Sequence, residues 1–306
     1  MAEEQAGGHE LYYVPSESKL PVWLAFGLGV MLYGLASWMN SAQTGGHGNE
    51  MLMLVGFLVV AVALYRWFAA VIAENHAGLN SSQVKRSYVW GMGWFIFSEV
   101  MFFAAFFGAL FYIRFFALPW LGGEGEKGIA GQYLWPDFSP DWAAGVTNPH
   151  PAWAGPGETL AAPSLSNWLA YLPFYNTVIL LTSSVTIHVA HSALKAGDRR
   201  KLNLWLGITV LLGILFIGVQ IEEYVQAYRD MGLTLDSGIY GSTFFLLTGF
   251  HGFHVTLGTF MLIVMLARCL KGHFTKEDHF GFEATAWYWH FVDVVWLGLF
   301  LFVYVF

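Results

Sequence analysis

The sequence predicts an all-α protein that threads a membrane seven times. Composition is the first observation behind this: of 306 residues, 56% are hydrophobic and only 11% charged, where soluble domains run near 25% charged. Mean hydropathy is +0.52. The second is the gathering of the apolar residues into seven runs, most of them close to the roughly 20 residues that cross a bilayer. The third is the absence of period-two alternation in those runs. A chain in lipid satisfies its backbone only as helices or a closed barrel, so each run reads as a helix.

The polar start, MAEEQAGGHELYYVPSESK, has neither the basic end and apolar core of a signal peptide nor the arginine-rich character of a transit segment. Residues 1–20 are therefore expected to be a cytoplasmic segment. The runs Pro21–Trp38 and Met51–Ala73 predict a two-helix unit over residues 21–73, followed by a cytoplasmic loop, 74–88. Residues 89–306 hold the other five runs: Val89–Phe116, Pro173–Ala193, Leu202–Tyr224, Ile239–Leu266 and Ala284–Phe306. Pro21 and Pro173 stand at the starts of their runs, where a missing N–H costs nothing.

Between the third and fourth runs lies the one long loop, 118–167. It contains Pro119, Pro136, Pro140, Pro149, Pro151, Pro156 and Pro163, with Trp120, Trp135, Trp142 and Trp153. Disordered segments are poor in aromatics, so an ordered, outward-facing cap is expected rather than a spacer. Orientation follows from the cations. Lys19, Arg66, Lys85, Arg86, Lys195, Arg199, Arg200, Lys201, Arg268, Lys271 and Lys276 fall on one side, and Arg114, Lys127 and Arg229 on the other. This puts the N-terminus in the cytoplasm and the C-terminus outside.

Against this apolar background the polar residues stand out. Glu99 lies roughly 16 Å into the third run at 1.5 Å per residue, among Phe95, Ile96, Phe102 and Phe103. An ionised carboxylate there costs about 3 kcal/mol or more, so the group is expected to be neutral or paired. It either handles protons or orders the bundle through an interhelical hydrogen bond; both readings are open. His251 and His254, in TGFHGFHVTLGT, sit one helical turn apart, with His254 roughly 22 Å along its run. They could ligate a metal or haem, relay protons, or serve as hydrogen-bonding glue. Thr248, Gly252 and Thr256 recur every fourth residue, a small-residue face that permits close helix approach. The last run carries Glu283, His290 and Asp293 as a polar stripe, which should face the bundle or a partner subunit. Glu99, His254 and His290 fall at comparable depth, so Glu99 is expected to bond one of these histidines, His254 first. His188 and His191 read as interfacial and structural. Gln220, Glu222, Glu223 and Tyr224 read as a solvated helix end. Trp67, Glu74, Arg268 and Lys271 gather near the cytoplasmic helix ends, where basic pockets bind anionic lipid headgroups; simple flanking charge accounts for each of them singly.

Several functions are excluded or unsupported. There is no phosphate-binding loop, nucleotide fingerprint or zinc-type spacing, and no aromatic-interleaved basic patch for nucleic acid. A lone Cys269 makes no intrachain disulfide, haem-attachment motif or two-cysteine copper site. No matched pair of glycine-interrupted half-helices suggests an inverted-repeat transporter. No metal or redox cofactor is expected in this chain.

One stretch is more specific. HFGFEATAWYWHFVDVVWL, leading into and through most of the chain's last run, resembles the signature end of subunit III of haem–copper cytochrome c oxidases. WGMGWFIFSEVMFFAAFF around Glu99, NTVILLTSSVT from Asn176, QIEEY from Gln220 and GFHGFHVTLGT from Gly249 continue the resemblance in order. The first two runs resemble the family more loosely. The resemblance implies a subunit without redox centres, packed against subunit I, which holds haems and copper, while subunit II receives electrons from cytochrome c. It implies a V-shaped bundle, two helices against five, with phospholipids in the cleft. It implies that Glu99 is the family's buried carbodiimide-reactive carboxylate, and that Trp67, Glu74, Arg268 and Lys271 lie near headgroups. Phe68 stands where the family has a second tryptophan. The long loop exceeds the mitochondrial pattern and, with the polar start, suggests a bacterial inner-membrane protein. Subunit III of a quinol oxidase is the close alternative, though those usually have five spans. A proton conductor using Glu99, His254 and His290 is the other; against it, Val100–Phe115 offers no ionisable residue before Arg114.

Overall fold

A computed structural model describes residues 13–14, 17–44, 48–136, 138, 140, 142 and 166–306. Among them are seven long helices: α1 (Leu20–Thr44), α2 (Glu50–His76), α3 (Ser82–Tyr112), α4 (Leu172–Ala196), α5 (Arg199–Arg229), α6 (Gly238–Leu270) and α7 (Phe280–Leu299). All seven are long and apolar enough to cross a membrane, and the described residues contain no strand. The protein is a polytopic all-α membrane protein. A widened π turn, Ile113–Ala117, carries α3 on to a short helical turn, Leu118–Leu121, and Phe300–Val305 extends α7 in the same way.

The helices outrun the apolar runs because a helix continues into the interfacial layer after the hydrocarbon ends. One consequence corrects the loop expected at 74–88: α2 runs through His76 and α3 begins at Ser82, so only Ala77–Ser81 connect them. The chain forms two compact units, Met1–Trp90 and Gly91–Phe306, and the division falls within α3.

In the first unit α1 packs on α2 through glycine. A Cβ at Gly56 would overlap the Met31 backbone, and one at Gly34 the Met53 backbone. Close backbone approach of this kind is how helices associate in lipid, where apolar burial supplies no drive.

The second unit is centred on α7. Tyr288, Trp289 and Trp296 are fully buried, against Phe103 and Leu110 of α3, Leu180 and Ile187 of α4, Phe216 of α5 and Leu247 and Leu262 of α6. Hydrogen bonds set the register. Trp289 Nε1–H donates to Ser183 Oγ and Trp296 Nε1–H to Thr177 Oγ1, each at 2.9 Å. The tryptophans are seven residues apart, two helical turns, and meet α4 running the other way. Thr186 and Thr209 join α4 to α5 at 2.8 Å, and Tyr224 and Thr248 join α5 to α6 at 2.7 Å.

The α4–α5 turn follows from two residues. Gly197 takes φ = 79° and closes α4, a left-handed position that favours glycine. Asp198 then caps α5, its Oδ1 accepting from the Lys201 backbone N–H at 3.1 Å. That bond holds its carboxyl below the usual carboxylate range.

Of the small-residue face expected on α6, only Thr248 is packed, buried against Tyr224 of α5. Nothing lies against Gly252, and Thr256 is exposed. The tight approach is on the neighbouring face, where the Trp289 ring seats over Gly258. Of the long loop, the described part is built on the bundle. Lys127 Nζ sits 4.3 Å above the Trp120 ring, and Trp142 packs edge-on to Tyr240 at 5.2 Å. Pro149, Pro151, Trp153, Pro156 and Pro163 lie outside the described residues, as does most of residues 1–20.

Candidate functional site

Glu99 on α3 and His254 on α6 meet in the middle of the second unit. Glu99 Oε2 lies 2.9 Å from His254 Nε2. The imidazole is walled by Phe103 at 5.0 Å and Phe102 at 5.9 Å, with Tyr288 stacked at 6.5 Å. Its other nitrogen is committed: Nδ1–H donates to the Phe250 carbonyl at 2.6 Å. That bond fixes the tautomer. Nε2 therefore faces Glu99 either as a lone pair, accepting from a protonated carboxyl, or as an N–H donating to a carboxylate. One proton shared across 2.9 Å satisfies both residues, which answers the cost of a carboxylate at this depth.

His290, grouped by depth with this pair, does not join it. Its Nδ1 lies 2.7 Å from Ser184 Oγ on α4 and 3.6 Å from Asp293 Oδ2. Asp293 is 5% exposed, and both of its carboxylate oxygens are buried without a hydrogen-bond partner. His251 is separate again: Nε2–H donates to the Val292 carbonyl at 3.2 Å between Phe216 and Trp296.

Two further clusters lie at the ends of the bundle. At the end of the bundle that holds the α4–α5 turn, His191 Nε2 and His279 Nε2 each lie 3.3 Å from Glu283 Oε1. Their donor atoms fall within 4.8 Å of one another, the one such group among the described residues that could hold a metal ion. His279 Nδ1–H donates to the Thr275 carbonyl at 3.1 Å. His191 is thus more than an interfacial histidine, while His188 is exposed. At the opposite end, Gln220, Glu223 and Tyr224 are not the solvated helix end expected of them. Gln220 is buried and its Nε2 donates to Glu223 Oε2 at 2.9 Å. The Tyr304 hydroxyl, from the π turn after α7, is buried beside Glu223 without meeting hydrogen-bond geometry. Only Glu222 is exposed.

With this geometry in view, the profile of one family, described as Cytochrome c oxidase subunit III, matches residues 9–124 and 166–306. The chain belongs to that family. Similar proteins include cytochrome c oxidase subunit 3 of pig (Sus scrofa), 39% identical over 295 residues. Those of horse (Equus caballus) and cattle (Bos taurus) are each 38% identical, over 294 and 295 residues. Each alignment covers 96% of this chain and 96% of the relative.

The subunit III match brackets every candidate residue and skips 125–165, the heart of the long loop. The residues expected near lipid headgroups are placed as follows. Trp67 and Glu74 belong to the first unit; Trp67 is exposed and Glu74 half-buried. Arg268 and Lys271 belong to the second. Arg268 is half-buried, with its guanidinium 4.3 Å above the Phe274 ring, a cation–π contact. Lys271 is exposed.

Proposed function

We propose that this chain is the non-redox structural subunit of an aa3-type cytochrome c oxidase. In that reading it stabilises the haem- and copper-bearing subunit I, alongside subunit II and its donor cytochrome c. It binds phospholipid and supports proton uptake and oxygen access during aerobic respiration. Family membership across both matched segments carries the reading. The Glu99–His254 pair supports it, because a carboxylate bonded to a histidine whose other nitrogen is already committed orders a bundle without needing a path onward. Trp67, Glu74, Arg268 and Lys271 are assigned to headgroup contact, the cations holding the phosphate. The lysine and arginine imbalance supports a cytoplasmic N-terminus and a periplasmic C-terminus. We place the complex in a bacterial plasma membrane; the stretch outside the family match, 125–165, supports this.

Deleting the chain from the complex tests the reading. A haem-bearing enzyme should still form and start at a near-normal rate, then lose activity progressively through turnover. Complete loss of haem incorporation, or turnover as durable as that of the intact complex, would overturn it.

A further inference from the structure

Three side chains converge where α7 begins. His279 directly precedes the helix, Glu283 lies in its first turn, and His191 comes from the last turns of α4. His191 Nε2 and His279 Nε2 each stand 3.3 Å from Glu283 Oε1, and the three donor atoms fall within 4.8 Å of one another. Both Nε2 atoms are buried, and neither meets hydrogen-bond geometry. The His279 ring is held from behind. Its Nδ1–H donates to the Thr275 carbonyl, and the turn carrying that carbonyl is closed by the Asp278 backbone N–H, which donates to Thr275 Oγ1 at 2.9 Å. In the neutral ring this leaves Nε2 as a lone pair, aimed at a carboxylate oxygen that presents lone pairs of its own. The His191 ring leans on the buried Phe282 ring at 5.5 Å. Lone pairs gathered in this way repel one another, and a cation among them turns the repulsion into ligation.

We propose that His191, His279 and Glu283 form a zinc site that ties the start of α7 to the end of α4. The distances suit the ion. With bonds of about 2.0–2.2 Å, the donor atoms around a tetrahedral zinc stand about 3.3–3.5 Å apart. Two of the three edges already match, and the third closes by rotation of one imidazole. The donors suit it as well. Calcium and magnesium take oxygen ligands, whereas two imidazoles and one carboxylate make a zinc set that leaves the fourth position to water. A carbonyl on the far ring nitrogen, as Thr275 supplies to His279, is the usual support of a metal-bound histidine. The ion can reach the site, because the Glu283 side chain is 30% exposed and the cluster lies at an end of the bundle. None of this depends on the function proposed above.

The test uses the purified, assembled complex, stripped with a chelator and dialysed against radioactive Zn2+ at low micromolar concentration. The complex with the wild-type chain is expected to take up one zinc more than complexes carrying His279→Ala or Glu283→Gln, whose affinity at this site should fall about ten-fold or more. His188→Ala, which removes an exposed histidine of the same helix α4, should keep the extra zinc. X-ray absorption at the zinc edge of the reloaded wild-type complex should show two imidazoles and one carboxylate, a readout that needs no variant to fold. Equal uptake by the wild type and both variants overturns the proposal. So does a wild-type complex that takes up no zinc, which would leave the cluster as histidines and a carboxylate sharing protons. A zinc shell containing sulfur, or made of oxygen alone, overturns it too. If neither variant assembles, the absorption spectrum decides by itself.

Discussion

The Glu99–His254 pair and the Ser184–His290–Asp293 cluster sit at similar depth and use the same chemistry, yet one is closed and the other open. His254 has both ring nitrogens bonded within the chain, and its side chain is 8% exposed and that of Glu99 22%, against 43% for His290. His290 spends one nitrogen inward and presents the other to the surroundings. Within a membrane a polar group that is satisfied internally orders its own bundle. One that is left half-satisfied requires a neighbour. The difference separates a pair that orders this subunit's own bundle from a histidine with one ring nitrogen turned to the surroundings.

The comparison can be broken at three points, and a fourth substitution serves as a reference outside it. His254→Ala has the largest expected effect, since it strands Glu99 beside an apolar void. Removing one member of a buried pair costs on the order of 3 kcal/mol, seen as a lower unfolding midpoint of the assembled complex. Glu99→Gln keeps a hydrogen-bonding group at the same place and should cost about 1 kcal/mol. The complex should assemble and turn over with little initial loss. If that variant assembled but no longer pumped protons, the pair would be a relay and the closed reading would fail. Ser184→Ala should also cost about 1 kcal/mol or less. It frees His290 without emptying the core, so the unfolding midpoint of the assembled complex should fall less than with His254→Ala. Asp198→Ala, outside both clusters, is the smallest. It should speed amide exchange at Lys201 a few-fold near neutral pH. The Asp198 carboxyl is held low when folded, so its contribution is present above the unfolded value and is lost as pH falls through the folded one. The mutant and wild type should therefore converge in acid.

What the sequence made legible follows from what it encodes linearly. Run length gives the spans, and depth along a run is a simple count, so Glu99 and His254 could be matched by level alone. Which helices are neighbours is not in that count. His290 shares the level but faces α4, and only packing decides that. Glu223 was misread for a related reason: counting from Leu202 puts it at the outer surface, but the π turn after α7 brings Tyr304 over it. The His191–His279–Glu283 cluster had one legible half, the i,i+4 spacing of His279 and Glu283 on the first turn of α7. Its other half comes from α4, nearly ninety residues earlier in the chain.

The most direct measurement is a purification on a tag fused to this chain, followed by optical spectra and metal analysis before and after it is stripped from its partners. The account predicts haem and copper in the intact complex and neither in the separated chain. Haem or copper held by the separated chain, or a preparation that never carries haem, would contradict it.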